Sequence, residues 1–393
     1  MKIMHIDQHY HFSGGTENYV LSIMDLLEKR GHNQVVVYSD KSDKTIKKKC
    51  RHEYHLPGIT SEFRKSHVKE LEDIIIQESP DIIYLHNVHN LYAVEKCIKL
   101  KPTIRYVHDP TLCCFTHWKL LPPHFLDICS YPLGRACFKN KCIGLNLKNF
   151  LRYFGRLREM SLHKKLKKII VASHYMKDLL VQNGFDPLNI IVISYFVTNP
   201  PSATSLNFDK SERPYIIFFA GLIHKIKGVD LMLKALAMVK NDFTAVFAGD
   251  GEYLEEYQQL AKDLKLGEKV KFLGWVSNKD LMVYHRKADI VIVPSFWVEA
   301  FGIVGIEAMS CARPVIAFDT GGIYEWLKDK VNGFLVPRGF YEQLSKKIDL
   351  LLSDRKLREE MGTKGREIYE KNFTKELHID KLIGIMETIV KTC

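Results

Sequence analysis

The segment DIVIVPSFWVEAFGIVGIEAM, residues 289–309, decides the fold class of this chain. Its apolar run before Pro294 is too short for a helix and predicts a buried parallel strand. Apolar spacing typical of a helix begins near Phe301. We therefore expect Glu299 in the turn and Glu307 about two turns into the helix. A strand, a turn and a helix in this order form the repeating unit of α/β folds.

The same turn has the features of an anion site. The predicted helix opens with the backbone amides of Ala300, Phe301, Gly302 and Ile303. Amides at a helix start lack acceptors within the helix, and a glycine among them lets a ligand come close. A phosphate at the turn, with carboxylates in reach of sugar hydroxyls, suits a nucleotide sugar. The alternative is that Glu299 only complements the helix dipole and Glu307 lies on a solvated face.

The spacing Glu299-x7-Glu307 around Ala-Phe-Gly resembles the E-x7-E signature of the family-4 retaining glycosyltransferases. Further family-like motifs follow in the family's order across residues 1–340. They are Gly14-Gly15-Thr16-Glu17, His108-Asp109, Lys227-Gly228, Ala248-Gly249-Asp250-Gly251, Phe272-Leu273-Gly274, Thr320-Gly-Gly322 and Asn332-Gly333-Phe334. Each motif is weak alone, but the ordered set makes a chance match improbable.

The resemblance implies an α/β protein of the GT-B architecture, with two doubly wound Rossmann-like domains facing each other across a cleft. It implies transfer of a sugar, with retention at the anomeric carbon, from a nucleotide diphosphate sugar to a glycan or lipid-linked acceptor. Synthesis of cell-surface polysaccharide, lipopolysaccharide or glycolipid is the expected setting. No metal or other cofactor is expected, because no Asp-x-Asp motif lies at a predicted strand end.

The resemblance also assigns roles to residues. His108, Glu299 and Lys227 are the expected catalytic residues: His108 beside the reacting sugar, Glu299 on the donor-sugar hydroxyls and Lys227 on the departing diphosphate. Glu307 is expected to hold the ribose hydroxyls. The other expected donor-binding residues are Gly14, Gly15, Lys225, Gly249, Gly251, Ala300, Phe301, Gly302 and Ile303. Asp109 could fix the tautomer of its neighbour His108.

One position departs from the family pattern. The family has Gly-Arg-x4-Lys-Gly, with both cations on the diphosphate, whereas this chain has Leu222 in place of the arginine. His224 or Lys225 could substitute, and Lys225 is the better candidate because its charge does not depend on pH near neutrality.

A chain of 393 residues is too long for one simple core, so we expect two domains. Six strand-like runs in each half alternate with helical patterns, which predicts parallel strands with helices on both faces. We expect an acceptor-side domain at 1–198 with an insertion at 109–146, a linker at 199–213 and a donor domain at 214–372. The resemblance implies that the helix in 373–393 crosses back to the first domain.

Positive charge is concentrated in residues 141–170, which hold nine Lys or Arg against one acid, Glu159, so that +8 of the formal +11 lies there. Apolar residues at helical spacing within 147–168 predict a basic amphipathic helix, a type that lies on anionic membranes. The alternative is a helix whose apolar stripe is core and whose basic face is solvated. Charge alone would also allow nucleic acid, but no motif for it accompanies the charge.

Five cysteines lie in the insertion: Cys113, Cys114, Cys129, Cys137 and Cys142. Their spacings match no standard zinc pattern, and a reducing compartment argues against disulfides. Packed thiols are the preferred interpretation, with a metal site as the alternative.

We expect a cytoplasmic protein, with peripheral association at the inner face of the membrane through 147–168, because the sequence shows neither a spanning segment nor a signal peptide. Two other functions stay open. One is a nucleotide-sugar 2-epimerase, which shares the architecture and needs no acceptor. The other is a non-catalytic nucleotide-sugar-binding module, favoured only by Leu222.

Overall fold

The computed structural model describes residues 1–10, 15–40, 52–61, 65–122, 127–202 and 214–392. The chain divides into two compact units, Met1–Tyr195 with Glu376–Cys393 and Phe196–Lys375. The C-terminal segment is part of the first unit. Most of the expected linker, 203–213, lies outside the described residues.

The first unit contains a parallel sheet of seven strands. In chain order they are β1 Lys2–His9, β2 Asn33–Asp40, β3 His52–His55, β4 Ile82–Leu85, β5 Thr103–Val107, β6 Lys168–Val171 and β7 Ile190–Val192. The order across the sheet is β3-β2-β1-β4-β5-β6-β7. The expectation of six strands was wrong by β3, whose sequence His-Glu-Tyr-His carries no apolar run because it is an edge strand.

Helices cover this sheet: α1 Gly15–Lys29, α2 Val68–Glu78, α3 Leu91–Leu100, α4 Arg135–Lys139, α5 Leu147–His163 and α6 His174–Gln182. The described part of the insertion contains only α4, a 3₁₀ turn at Pro110–Cys113 and one antiparallel bridge between Leu120 and Ile128.

The second unit contains a parallel sheet of six strands in the order β10-β9-β8-β11-β12-β13. The strands are β8 Tyr215–Ala220, β9 Phe243–Ala248, β10 Val270–Phe272, β11 Ile290–Val293, β12 Val315–Phe318 and β13 Gly333–Val336. Its helices are α7 Val229–Leu236, α8 Leu254–Asp263, α9 Asn278–Lys287, α10 Ile303–Ser310, α11 Tyr341–Ser353 and α12 Arg355–Asn372. The C-terminal helix α13, Lys375–Lys391, follows.

Both sheets are doubly wound, as the sequence predicted. The strand order reverses between β1 and β4 in the first unit and between β8 and β11 in the second. The central strands β4, β5, β11 and β12 are buried along their whole length, as expected when helices cover both faces. Ligands of such sheets bind beyond the carboxyl ends of the strands at the reversal point, so the loops after these strands are where a site is expected.

Helix α5 corrects the expectation for the basic segment. It ends at His163, so that Lys164 to Lys167 form a turn and Lys168 belongs to β6. Arg156 is 5% exposed and donates to Glu159 at 2.7 Å, while His89 lies 2.7 Å from the other oxygen of that carboxylate. The contact between Glu159 and His89 therefore links α5 to the segment before α3, and Arg156, which is paired within its own helix, is not part of a basic surface.

The apolar stripe of α5 is exposed at its N-terminal end. Leu147 is 74%, Phe150 49%, Leu151 61% and Phe154 50% exposed. These four side chains are not part of the core of the first unit, so the alternative that the apolar stripe is core is wrong for them. Across the described ranges, no helix is both long enough and apolar enough to span a bilayer.

Candidate nucleotide-sugar site

The reversal point of the second sheet brings two distant residues together. Lys227 follows β8 and Glu299 follows β11, and these two strands are hydrogen-bonded neighbours. Lys227 Nζ donates to Glu299 Oε1 at 2.6 Å, and Ser295 Oγ donates to the same oxygen at 2.5 Å. The strand order thus pairs the two residues, although 72 positions separate them.

The pair is largely shielded from water, with side-chain exposures of 22% for Lys227 and 9% for Glu299. Burial raises the pKa of Glu299, but the charge of Lys227 and the hydrogen bonds from Lys227 and Ser295 outweigh it, so the pKa lies below its usual range. The carboxylate is therefore ionised at neutral pH. Lys227 Nζ also lies 5.1 Å from the centre of the Trp297 ring, a cation–π contact.

Helix α10 starts later than expected. Gly302 is its N-cap with φ of +85°, a left-handed conformation that residues with side chains avoid, so the helix begins at Ile303. Ala300 and Phe301 belong to the turn, where the Phe301 carbonyl accepts from Trp326 Nε1 at 2.7 Å. The expected anion site at the helix start is thus confined to the first turn of α10.

Gly249 and Gly251 have a structural reason to be glycine. A Cβ at Gly249 would lie 1.8 Å from the Gly221 carbonyl oxygen, and one at Gly251 would lie 2.3 Å from that of Ile223. The loops after β8 and β9 therefore touch through their backbones. This contact accounts for the glycines without a ligand.

The substitutes proposed for the missing arginine have other contacts. Lys225 and Lys227 belong to one 3₁₀ turn, whose cap His224 accepts from the Ile226 amide and lies 2.9 Å from Glu252. Lys225 is exposed and its Nζ lies 4.7 Å above the Tyr253 ring.

Glu307 lies in the second turn of α10 with 18% of its side chain exposed. His285 of α9, which the sequence did not single out, places Nε2 at 3.4 Å from Glu307 Oε2. Of the glycine loop in the first unit, Gly14 lies outside the described residues, and Gly15 is the exposed first residue of α1.

His108 follows β5 and is 9% exposed. Its Nδ1 lies 2.6 Å from the Tyr195 hydroxyl, and its Nε2 lies 3.4 Å from His86 Nδ1. Asp109 does not hold the ring, because its carboxylate accepts from the Thr111 amide at 2.8 Å instead. The suggested role of Asp109 in fixing the tautomer is therefore wrong; Tyr195 and His86 are the hydrogen-bond partners of the ring.

The contact to His86 continues through the sheet. His86 Nε2 lies 3.3 Å from His5 Nδ1, and His5 Nε2 lies 2.8 Å from Gln34 Oε1. The Gln34 amide nitrogen donates to the His32 carbonyl, so its oxygen is left to accept. A neutral imidazole has one N–H, so His5 Nε2 donates to Gln34, His86 Nε2 donates to His5, and His108 Nε2 donates to His86. His108 Nδ1 is therefore the acceptor of the Tyr195 hydroxyl. Burial lowers the pKa of His108 to about 3, so the ring is neutral.

Two family models match this chain. The model described as Glycosyltransferase Family 4 matches residues 13–198, and the model described as Glycosyl transferases group 1 matches residues 205–368. The chain belongs to glycosyltransferase family 4. The recognition from the E-x7-E spacing is thereby confirmed.

Known proteins of this kind are similar over different lengths. An uncharacterized glycosyltransferase of Methanocaldococcus jannaschii is 27% identical over 63% of this chain and 65% of its own length. The D-inositol 3-phosphate glycosyltransferase of Salinispora tropica is 31% identical over 45% of this chain and 39% of its own. A crystal structure of Anabaena HepE in complex with UDP-glucose shares the fold, with a TM-score of 0.73, 21% identity and coverage of 99% and 100%.

The cysteines of this family-4 glycosyltransferase are thiols wherever the structure describes them, including all five in the insertion. Over the same described ranges, no three His, Cys, Asp or Glu side chains are grouped so as to hold a metal ion. The buried amine of Lys119 lies among the thiols, 3.8 Å from Cys129 Sγ, and donates to the Tyr131 carbonyl at 2.6 Å.

Sequence reasoning missed Asp7, which lies on β1 at the reversal point of the first sheet. It is 1% exposed, and its Oδ1 accepts from the Gln8 amide at 2.7 Å and the Asn87 side chain at 3.2 Å. Its Oδ2 is buried without a hydrogen bond. The sequence contained a signal for this residue, because Asp7 is a carboxylate near the carboxyl end of the first strand.

We expect Asp7→Asn to stabilise the protein more at pH 8 than at pH 5. Burial raises the pKa of Asp7 from 3.8 to about 7, so ionisation opposes folding increasingly as pH rises through this interval. The gain in unfolding free energy of the variant over wild type should be about 2–3 kcal/mol larger at pH 8 than at pH 5. Urea unfolding at both pH values measures it, and any pH-independent cost of the amide cancels. Equal gains at the two pH values would show that Asp7 titrates normally.

Proposed function

We propose that this glycosyltransferase moves a sugar, with retention, from a nucleoside diphosphate sugar to a glycan or lipid-linked acceptor of a surface polysaccharide or glycolipid. The observation that carries the proposal is the Lys227–Glu299 pair at the reversal point of the second sheet, at 2.6 Å. Family membership supports the reaction class. The UDP-glucose bound to Anabaena HepE makes UDP the first nucleotide to try.

The pair suits a reaction in which negative charge develops on a leaving diphosphate. Without donor, Glu299 neutralises Lys227 and keeps it in place. A diphosphate bound at the first turn of α10 would share this cation, and Lys227 would stabilise the charge that grows as the glycosidic bond breaks. Glu299 would then accept hydrogen bonds from the donor sugar. Lys227 and the helix amides would supply the charge stabilisation that a metal supplies elsewhere.

In the first unit, the neutral His108 has hydrogen-bond partners at both ring nitrogens, which favours a positioning contact over proton transfer. We propose front-face substitution. The acceptor oxygen bonds to the anomeric carbon on the side from which the diphosphate leaves, and a departing diphosphate oxygen takes the hydroxyl proton.

The exposed face of α5 fits an anionic membrane surface. Its apolar side chains Leu147, Phe150, Leu151 and Phe154 are exposed together on one side, and Lys148 and Arg158 are exposed on the same helix. Apolar insertion combined with basic residues is how interfacial helices bind anionic lipid. We propose that this face docks the enzyme beside a lipid-linked acceptor, at the inner face of the membrane.

Replacing the two signature glutamates should separate binding from turnover. Glu307→Ala should weaken nucleoside diphosphate binding about 10- to 100-fold, because a charged hydrogen-bond partner of the ribose is lost. Glu299→Ala should mainly lower kcat. Calorimetric titration with UDP, GDP and ADP and an assay of nucleotide release from the matching sugar donors measure these effects. The exposed acid Glu360 gives the control variant.

Unchanged nucleotide affinity of Glu307→Ala would contradict the ribose assignment. Nucleotide release that requires an acceptor separates a transferase from a 2-epimerase, which needs none. Nucleotide binding without any turnover of a sugar donor would indicate a non-catalytic nucleotide-sugar-binding module.

The lysines at the turn after β8, Lys227 and Lys225, should act on the chemical step. Lys227→Met should lower kcat about a hundredfold with a smaller effect on donor affinity, as expected for a group that stabilises developing charge. If Lys225 replaces the missing arginine, Lys225→Met should also lower kcat. Adding Leu222→Arg to the Lys225→Met variant should then restore kcat. A fully active Lys225→Met enzyme would limit the role to Lys227.

Sedimentation with vesicles tests the membrane surface. The protein should bind anionic phospholipid vesicles in a salt-sensitive way and bind neutral ones little. Changing Lys148, Arg158 and Lys165 to Gln should lower the partition coefficient about a hundredfold, since each basic residue contributes about 1 kcal/mol. Leu147→Gln with Leu151→Gln should also weaken binding. The control replaces Ile76 and Leu188, 62% and 80% exposed in the same unit, with Gln. Equal binding of all variants would leave α5 a structural helix.

A further inference from the structure

His285 is an unusual buried residue in the second unit. It lies in the last turn of α9 with no exposed surface, yet neither ring nitrogen makes a hydrogen bond. His378 of the first unit shows the ordinary case, because both of its ring nitrogens have hydrogen-bond partners. Leaving imidazole nitrogens without partners in a core is unfavourable, so the histidine needs a reason beyond packing.

The Nε2 atom of His285 lies near one polar group, the carboxylate of Glu307. The ring meets Phe218 of β8 edge to face, with centroids 4.9 Å apart. Its Nε2 lies 3.4 Å from Glu307 Oε2, within hydrogen-bond distance but not aligned. Because 18% of the Glu307 side chain is exposed and the imidazole is enclosed, the carboxylate is the partner free to adjust.

The Glu307 carboxylate has few side-chain contacts that could orient it. Among the described residues, His285 is the side chain that pairs with the Glu307 carboxylate. A glutamate side chain that must be immobilised when a ligand binds loses rotamer freedom, and this loss weakens binding. A fixed donor behind the carboxylate lowers that cost.

We propose that His285 is a positioning residue for the nucleotide ribose: its Nε2–H donates to one oxygen of Glu307, which turns the other oxygen to the ribose hydroxyls. The inference rests on the ribose role of Glu307 proposed above. It adds a second residue, on a different helix, to the recognition of ribose.

Deoxynucleotides provide the test. UDP, GDP and ADP are titrated against their 2′-deoxy counterparts by calorimetry, using the full-length protein. Wild type should prefer the best-bound ribonucleotide about tenfold over its deoxy form, because one hydroxyl-to-carboxylate hydrogen bond is lost. His285→Leu should lower this preference to about twofold by weakening ribonucleotide binding, with the deoxy form little affected.

Matched variants separate positioning from packing. His285→Gln places an amide N–H near the Nε2 position and should keep most of the preference. His285→Asn places its amide near Nδ1, too short to reach Glu307, and should behave as His285→Leu; it replaces that variant if the leucine protein does not fold. Tyr284→Phe, on the same helix, should match wild type. The Tm of His285→Leu should not fall much, since the buried Nδ1, which has no hydrogen-bond partner, is removed as well.

The outcomes distinguish the two levels of the proposal. A wild-type protein that binds nucleotides without preferring ribose overturns the role of Glu307 and the role of His285 together. A wild-type preference that persists unchanged in His285→Leu and His285→Asn overturns the role of His285 alone. A lowered Tm with unchanged preference would show that the histidine only packs the core.

Discussion

The ion pair between Lys227 and Glu299 is the constraint on which the second unit depends. Two charges taken out of water are tolerated only as partners, and here the carboxylate accepts from Lys227 at 2.6 Å and from Ser295 at 2.5 Å. The pair can form only if β8 and β11 lie side by side. The strand order and the turns after β8 and β11 therefore bring these two charges together, and Gly302 caps α10 just beyond Glu299.

Much of the fold could be predicted from residue pattern alone. Buried parallel strands are short apolar runs, so the run before Pro294 was recognised as a strand, which is β11, Ile290–Val293. The failures have physical causes. Strand β3 is polar because it lies at an edge, and α10 starts two residues after Phe301 because Gly302 has a left-handed backbone. Arg156 looked like surface charge because packing decides which face of α5 is buried, although its partner Glu159 lies three residues along the same helix.

The site was predictable only where chemistry follows the chain. Glu299 and Glu307 share one segment, and their positions in turn and helix followed from local pattern. The pairing of Lys227 with Glu299 spans 72 positions, and the contact of His285 with Glu307 joins two helices. No periodicity encodes either. The roles assigned to individual residues rest on the proposal and its experiments.

The buried groups around His108 and those around Glu299 differ in the way their surroundings affect their charge. In the first unit, burial lowers the pKa of His5 to about 4 and of His108 to about 3 and raises that of Asp7 to about 7, which shifts each of these groups toward its neutral form. In the second unit, Lys227 lowers the pKa of the buried Glu299 and keeps it charged. Breaking a bond to a diphosphate creates charge on the donor, whereas an acceptor hydroxyl is neutral until it reacts. A charged donor site and a neutral acceptor site are therefore what the proposed transfer requires.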